Sequence, residues 1–356
     1  MAHRLFKHDK HQATKQAWHG LSEIRPEITL QDNWLRDWDL VSTPLFFADG
    51  SPALSVEADK DTQAKQWTIS RCNDKPALQI GAPYNPGSFR PITNAEFLSL
   101  VEASIAGTDH KIVSVGSVRN RGRVFLSIEL QGMDKFKAGG REFSAFLNYG
   151  NGHDKSSVLW INTSNVCTVC DNTFSMNLFE VENKRQDSQL ESKDDLKIRV
   201  RHTKNAALRF PEIAKIIDKA IGVQAEFALA MEAADKLQIS EDKARQIFAG
   251  FVAPVGAESL STRAENTVSR LVELFKSGNG NSGRNVGDLF HAATDYYTHE
   301  SAGGEDRAKQ FLSSEFGSGS TRKLEFYNLV RDDKQRTAGE KLEATAKRGE
   351  ALLMAN

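Results

Sequence analysis

The spacing of apolar residues changes once along this chain, and that change restricts the fold more than any motif does. From about residue 40 to 170 the spacing is two: Val124, Leu126, Ile128 and Leu130 share one side of a strand, with Ser127 and Glu129 on the other. Beyond about residue 185 it is three to four. Ile213, Ile216, Ile217, Ala220 and Ile221 form a helical stripe behind Pro211, which suits a first helical turn. Such a chain is α+β: an antiparallel sheet with packed helices in β-β-α-β-β-β-α order, followed by an all-helical C-terminal half.

Strands are predicted at 53–56, 66–71, 111–118, 124–130, 143–149 and 158–163, with a helix at 94–105 capped by Thr93 or Asn94. Arg119-Asn120-Arg121-Gly122 supplies one turn. Gly150-Asn151-Gly152 supplies another, so His153 and Asp154 sit just past a strand end. A helix carrying Phe174, Met176 and Leu178 is expected to start at Asn172 and Thr173, which can cap it. Residues 185–195 are polar and charged. They divide the chain into an α+β core domain (1–184), a basic linker or strand (185–210) and a helical domain (211–356). In that last part Ser240 starts a helix, and Thr262 with Glu265 forms a capping-box pair. Glycines break the chain near 278–283, 303–304 and 317–319, and 323–353 is helix-prone.

Formal net charge is −1, from 46 basic and 47 acidic residues, so a uniformly basic nucleic-acid coat protein is excluded while a local basic face is not. The N-terminus has no apolar core of a secretory signal, and no run approaches the roughly 18 apolar residues that span a bilayer. Three cysteines are too few for a disulfide framework in 356 residues, and a cytoplasmic protein is expected. Cys167 and Cys170 form a lone Cys-x-x-Cys. A zinc site needs four ligands, so the pair reads as structural. Gly317-Ser318-Gly319 lacks the Gly-Lys-Ser/Thr order of a phosphate loop. No cofactor, metal or catalytic residue is assigned.

Two segments are basic and free of acid. One carries Lys111, Arg119, Arg121 and Arg123, the other Lys197, Arg199, Arg201, Lys204 and Arg209. Lys197, Arg199 and Arg201 alternate with Ile198 and Val200, so a strand would line them along one face. With Lys155, these cations are the predicted phosphate contacts, and Phe125, Phe146, Tyr149 and Trp160 the candidate stacking rings. A solvated charged face is the plainer alternative.

Several short pieces in order resemble a phage/plasmid-like family of unknown function, the domain of unknown function nine-thirty-two. They are Trp18-His19-Gly20-Leu21, Tyr84, Pro91-Ile92-Thr93-Asn94, Val115-Gly116, His153-Asp154, Val169-Cys170-Asp171-Asn172-Thr173, Arg201-His202-Thr203, Ala293 to His299, and Gly317 with Gly319 before Lys323. The sequence departs from the family in having Lys155 where glycine usually follows His-Asp, and in lacking a tryptophan near Gly283. The resemblance implies a mobile-element origin and no established reaction; Trp18, His19, His153, Asp154, Cys170, Asn172, Thr173, His202 and His299 are motif residues without an assigned role. The strand order is similar to the core of Rad-type and phage single-strand annealing proteins, which implies an oligomer that binds single-stranded DNA and anneals it without ATP. A metal-dependent nuclease or hydrolase using His19, His153, Asp154, Cys170, His202 and His299 is the alternative. A host-interaction or anti-defence protein is the third.

Overall fold

The computed structural model describes residues 34–52, 54–56, 63–65, 67–71, 84, 89–118, 122–133, 136–155, 157–167, 173–176, 198–203, 205–206, 210, 216–302, 313–314, 317–333 and 335–355. The chain forms two compact units: Met1–Gln131 with Phe146–Thr163 and Glu182–Ala220, and Gly132–Ala145 with Ser164–Val181 and Ile221–Asn356. The expected α+β class with a helical C-terminal half is what the chain adopts.

In the first unit, β1 (Leu40–Pro44) pairs with β4 (Trp67–Arg71), and β2 (Leu54–Val56) with β3 (Gln63–Lys65), both antiparallel. β1 and β3 were not foreseen; each is short and lacks a clear alternation. Helix α1 (Asn94–Ile105) begins in a full capping box between Thr93 and Glu96. Asp39 also accepts from the Asn94 backbone N–H at 2.8 Å, and the Asn94 amide donates to the Trp38 carbonyl at 2.9 Å. Segment 35–39 is thereby tied to the helix start.

The main sheet contains β5 (Lys111–Val118), β6 (Arg123–Glu129), β7 (Phe136–Ala138), β8 (Arg141–Gly152), β9 (Leu159–Cys167), β10 (Thr173–Met176) and β11 (Ile198–Val200). Its order is β10-β9-β8-β6-β5, with β11 on β9 and β7 on β8. Register fixes its two faces in the first unit. Val115, Leu126 and Tyr149 are in line, and the Tyr149 hydroxyl meets Ser104 of α1, so this face holds the apolar core with Phe97, Leu100 and Val101. Gly116, Phe125 and Gly150 form a row on the opposite face, and Ser114, Ser127 and Asn148 form the next.

Two local predictions are corrected. β8 continues through Gly150-Asn151-Gly152, and the turn comes later, at 153–155. Both glycines are needed because of close neighbours. A Cβ on Gly150 would lie 2.0 Å from the Trp160 indole, and one on Gly152 would lie 2.4 Å from the Ser157 carbonyl. Residues 173–176 are strand β10, not a helix start. β9 supplies a pairing edge there, and Thr173 and Phe174 are good strand formers.

The second unit holds α2 (Ile216–Lys236, from residue 221 on), α3 (Glu241–Val252), α4 (Thr262–Ser277), α5 (Val286–His299), α6 (Ser318–Val330) and α7 (Ala338–Met354). The α4 cap is Ser261, one residue before the predicted Thr262. The 323–353 segment is two helices, because Thr337 opens a new capping box with Glu340. The core joins Phe227, Phe248, Phe275, Phe290 and Phe326 to Phe143 and Cys167 from the strands. Helices α3 and α7 cross in backbone contact: a Cβ on Gly349 would lie 1.7 Å from the Gln246 carbonyl oxygen.

A buried ion pair organises the start of α5. Arg141 Nη2 donates to Asp288 Oδ1, the Gly280 carbonyl and Asn281 Oδ1, each at 2.7 Å. Asp288 Oδ2 accepts from the Ser282 hydroxyl at 2.7 Å and the Arg284 backbone N–H at 3.1 Å. Burial alone would raise the Asp288 carboxyl, but the Ser282, Arg284 and Arg141 donors hold it below its ordinary value. Nearby, burial pushes the Asp235 carboxyl up to about 6; the Arg141 charge opposes the rise and that of Asp288 adds to it. A carboxyl whose folded pKa exceeds its unfolded 3.8 costs stability as pH climbs from about 4 through about 6. Asp235→Asn should therefore raise the melting temperature at pH 7.5 by roughly 2–4 °C, allowing for screening of this half-exposed group, and leave it unchanged at pH 4. Paired thermal melts at the two pH values check both halves of this result.

Candidate nucleic-acid interface

Three segments of the first unit meet at one corner. The Ile92 backbone N–H donates to His202 Nδ1 at 3.0 Å, and the Ile92 carbonyl accepts from the Asn151 amide at 2.8 Å. The same amide lies 3.1 Å from His153 Nε2. The Arg90 N–H donates to the His202 carbonyl at 3.0 Å. The Gly122 carbonyl accepts from the His153 N–H at 2.7 Å and the Asp154 N–H at 3.3 Å, which ties the 153–155 turn to the start of β6.

The two histidines are buried, and Trp38 packs edge-on against His153 at 5.6 Å. Because His202 Nδ1 accepts a hydrogen bond, its proton resides on Nε2. Burial, with the His153 ring adding to it, brings the His202 pKa down to about 3, so the ring is neutral across the physiological range. Neutral imidazoles serve here as the floor under an exposed rim. His202 stacks on Phe89 at 5.2 Å, and the Lys155 ammonium lies 6.0 Å from the same ring's centroid. Phe89 is half-buried, while Lys155 and Arg201 are exposed. Arg90, with 40% of its side chain exposed, pairs with Glu96.

Lys155 is the only non-glycine residue with positive φ among the described residues, at 64°. That conformation costs an L-residue about 1–2 kcal/mol and glycine almost nothing. It explains why glycine is the expected residue after His-Asp.

The predicted residues divide as follows. His153, Asp154, Lys155, Arg201 and His202 come together at the corner. Arg123 lies at the same end of β6, in register with Gly152, and is only 9% exposed. Lys111 and Arg199 lie in strands, Arg199 in register with Trp160. Thr173 begins β10. Trp18, His19, Arg119, Arg121, Cys170, Asn172, Lys197, Lys204 and Arg209 lie outside the described residues. His299 ends α5 in the other unit. Of the candidate rings, Phe125 and Trp160 share the sheet face opposite α1, whereas Tyr149 points into the α1 core. Phe89, Arg90 and Asn151 escaped the sequence reading; the adjacency of Phe89 and Arg90 was the available signal.

Among the described residues no group of three or more His, Cys, Asp or Glu side chains is placed to hold a metal ion, and no helix is long and apolar enough to cross a membrane. The sequence matches the family described as "Domain of unknown function (DUF932)" over residues 86–344. No curated protein and no solved structure matches.

Proposed function

The chain belongs to the DUF932 family, whose function its description leaves open, and we propose from its own residues that it binds single-stranded nucleic acid at the corner built by 89–92, 151–155 and 201–203. The observation that carries this reading is Lys155. A lysine occupies a backbone position that glycine would fill without strain, and its ammonium is held over a half-exposed Phe89 beside exposed Arg201. Cations spaced around an accessible ring are what a flexible phosphate chain with stackable bases requires. ATP-independent annealing is the activity that the strand order's resemblance adds to this reading.

Fluorescence anisotropy with a labelled 20–30-nucleotide oligonucleotide tests the proposal. Saturable binding at about 50 mM salt, weakening steeply by about 200 mM, is the expected result. Absence of binding at low salt rejects it.

A further inference from the structure

The Lys155 corner offers cations but a single half-buried ring, Phe89. Ring surface open to water lies elsewhere in the same unit. Phe46 and Phe47 are 57% and 61% exposed, and they enter a loop that its own hydrogen bonds hold in shape. Phe46 bridges to Pro52, and the Phe47 N–H donates to the Ser51 carbonyl at 2.8 Å. The Gly50 N–H returns to the Phe47 carbonyl at 2.9 Å. Gly50 takes a φ of 81°, as the last residue of a three-residue hairpin loop requires. Asp49, the loop's one carboxylate, accepts from the Ser51 N–H at 2.8 Å and the Ser51 hydroxyl at 2.6 Å, so its charge is committed to the turn. One exposed apolar side chain needs no explanation, but this closed turn leaves on the order of 200 Å² of ring surface in water. Successive residues of an extended strand face opposite sides, so the two rings flank the hairpin instead of forming one flat patch. A flat protein surface would cover one ring, whereas bases of a flexible strand reach both. The chain also links this tip to the corner: Trp38 packs on His153 and Asp39 holds the start of α1, just before β1 begins at Leu40. Phe46 follows Trp38 by eight residues, which bounds their separation at about 28 Å. Roughly eight nucleotides cover that distance even at ~3.4 Å each.

We infer that the 46–52 hairpin is a base-stacking element, with Phe46 and Phe47 each taking a base of the strand whose phosphates follow the Lys155 and Arg201 rim. The inference rests on the proposed single-strand binding. The rings are already open to solvent, so bases reach them without any rearrangement of the chain. A phenyl ring reads no base edge, so the tip favours base-bearing over base-free strands without choosing a sequence.

The test uses the full chain and two labelled strands of one length, oligo-dT and an abasic backbone. The wild type is expected to bind oligo-dT at least about 10-fold tighter than the abasic strand, as one or more stacked bases give. Phe46→Leu/Phe47→Leu keeps apolar bulk at the tip and removes the ring faces. It should melt with the wild type, because both side chains are exposed, lose most of the preference for oligo-dT, and leave the abasic affinity unchanged. Equal wild-type affinity for the two strands overturns the stacking element and leaves the rim reading intact. If neither strand binds at low salt, both are overturned. A leucine pair that keeps the full preference sinks the inference, and so does a loss of equal size for both strands. A wild type that sediments as a dimer beside a monomeric leucine pair assigns the tip to a second copy of the chain instead; the wild-type comparison needs no variant to fold.

Discussion

Replacing Arg141 with alanine is expected to lower the unfolding free energy of the helical unit by about 3–5 kcal/mol, the loss typical of a buried ion pair broken on one side. One guanidinium nitrogen serves three acceptors, two of them in the 280–281 loop and the third on Asp288 at the start of α5. Only 2% of the Asp288 side chain is exposed, so water cannot take over when the cation is removed. The Ser282 and Arg284 donors remain, and they keep Asp288 ionised next to Asp235 with nothing left to balance the two charges. The loss should therefore be larger at pH 8 than at pH 5, where the raised Asp235 carboxyl is largely protonated. Urea denaturation at the two pH values measures both the size and the sign of this difference. A loss below about 1 kcal/mol would mean that the pair is screened as a surface pair is.

Reversing Lys155 and Arg201 together to glutamate is expected to weaken oligonucleotide binding about 100-fold at roughly 50 mM salt. Each exposed cation on a phosphate is taken at about 1.4 kcal/mol, between the water and protein-surface limits for charges about 4 Å apart, and the two act on one strand. Melting temperature should hardly move, because both side chains are exposed. Lys155→Gly separates the causes further. It relieves the left-handed backbone, so the variant should gain up to about 1 kcal/mol of stability while binding about 10-fold more weakly. Gain of stability with loss of binding is the signature of a residue held in strain for its charge. A variant that gains stability and keeps full affinity would make Lys155 a tolerated substitution only.

The fold was legible wherever local chemistry decided it. The 111–118 and 124–130 alternations became β5 and β6, and Thr93, one of the two caps expected there, starts α1 and closes a capping box with Glu96. Where tertiary packing decided, local rules failed. The turn residues Gly150 and Gly152 lie inside a strand because Trp160 and Ser157 need the space. Asn172 and Thr173 resemble a helix cap, yet β9 draws 173–176 into the sheet. The site was half legible for the same reason. His153, Lys155, Arg201 and His202 were singled out as residue types, but their meeting depends on Ile92, whose backbone joins His202 to Asn151 across 110 and 59 positions of sequence. Nothing local to Ile92 signals that role. The Lys155 departure from the expected glycine was visible in the sequence, and its meaning came only with φ.

The most direct test of single-strand binding at the Lys155 corner is the slope of log affinity against log salt for wild type and for Lys155→Glu/Arg201→Glu. Each phosphate contact on a single strand contributes about −0.7 to that slope, so losing two contacts should make the slope shallower by about 1.4. A wild type that binds with a steep slope, and a double variant whose slope is shallower by that amount, is the predicted result. Identical slopes and affinities for the two proteins would place the phosphates elsewhere and contradict the account.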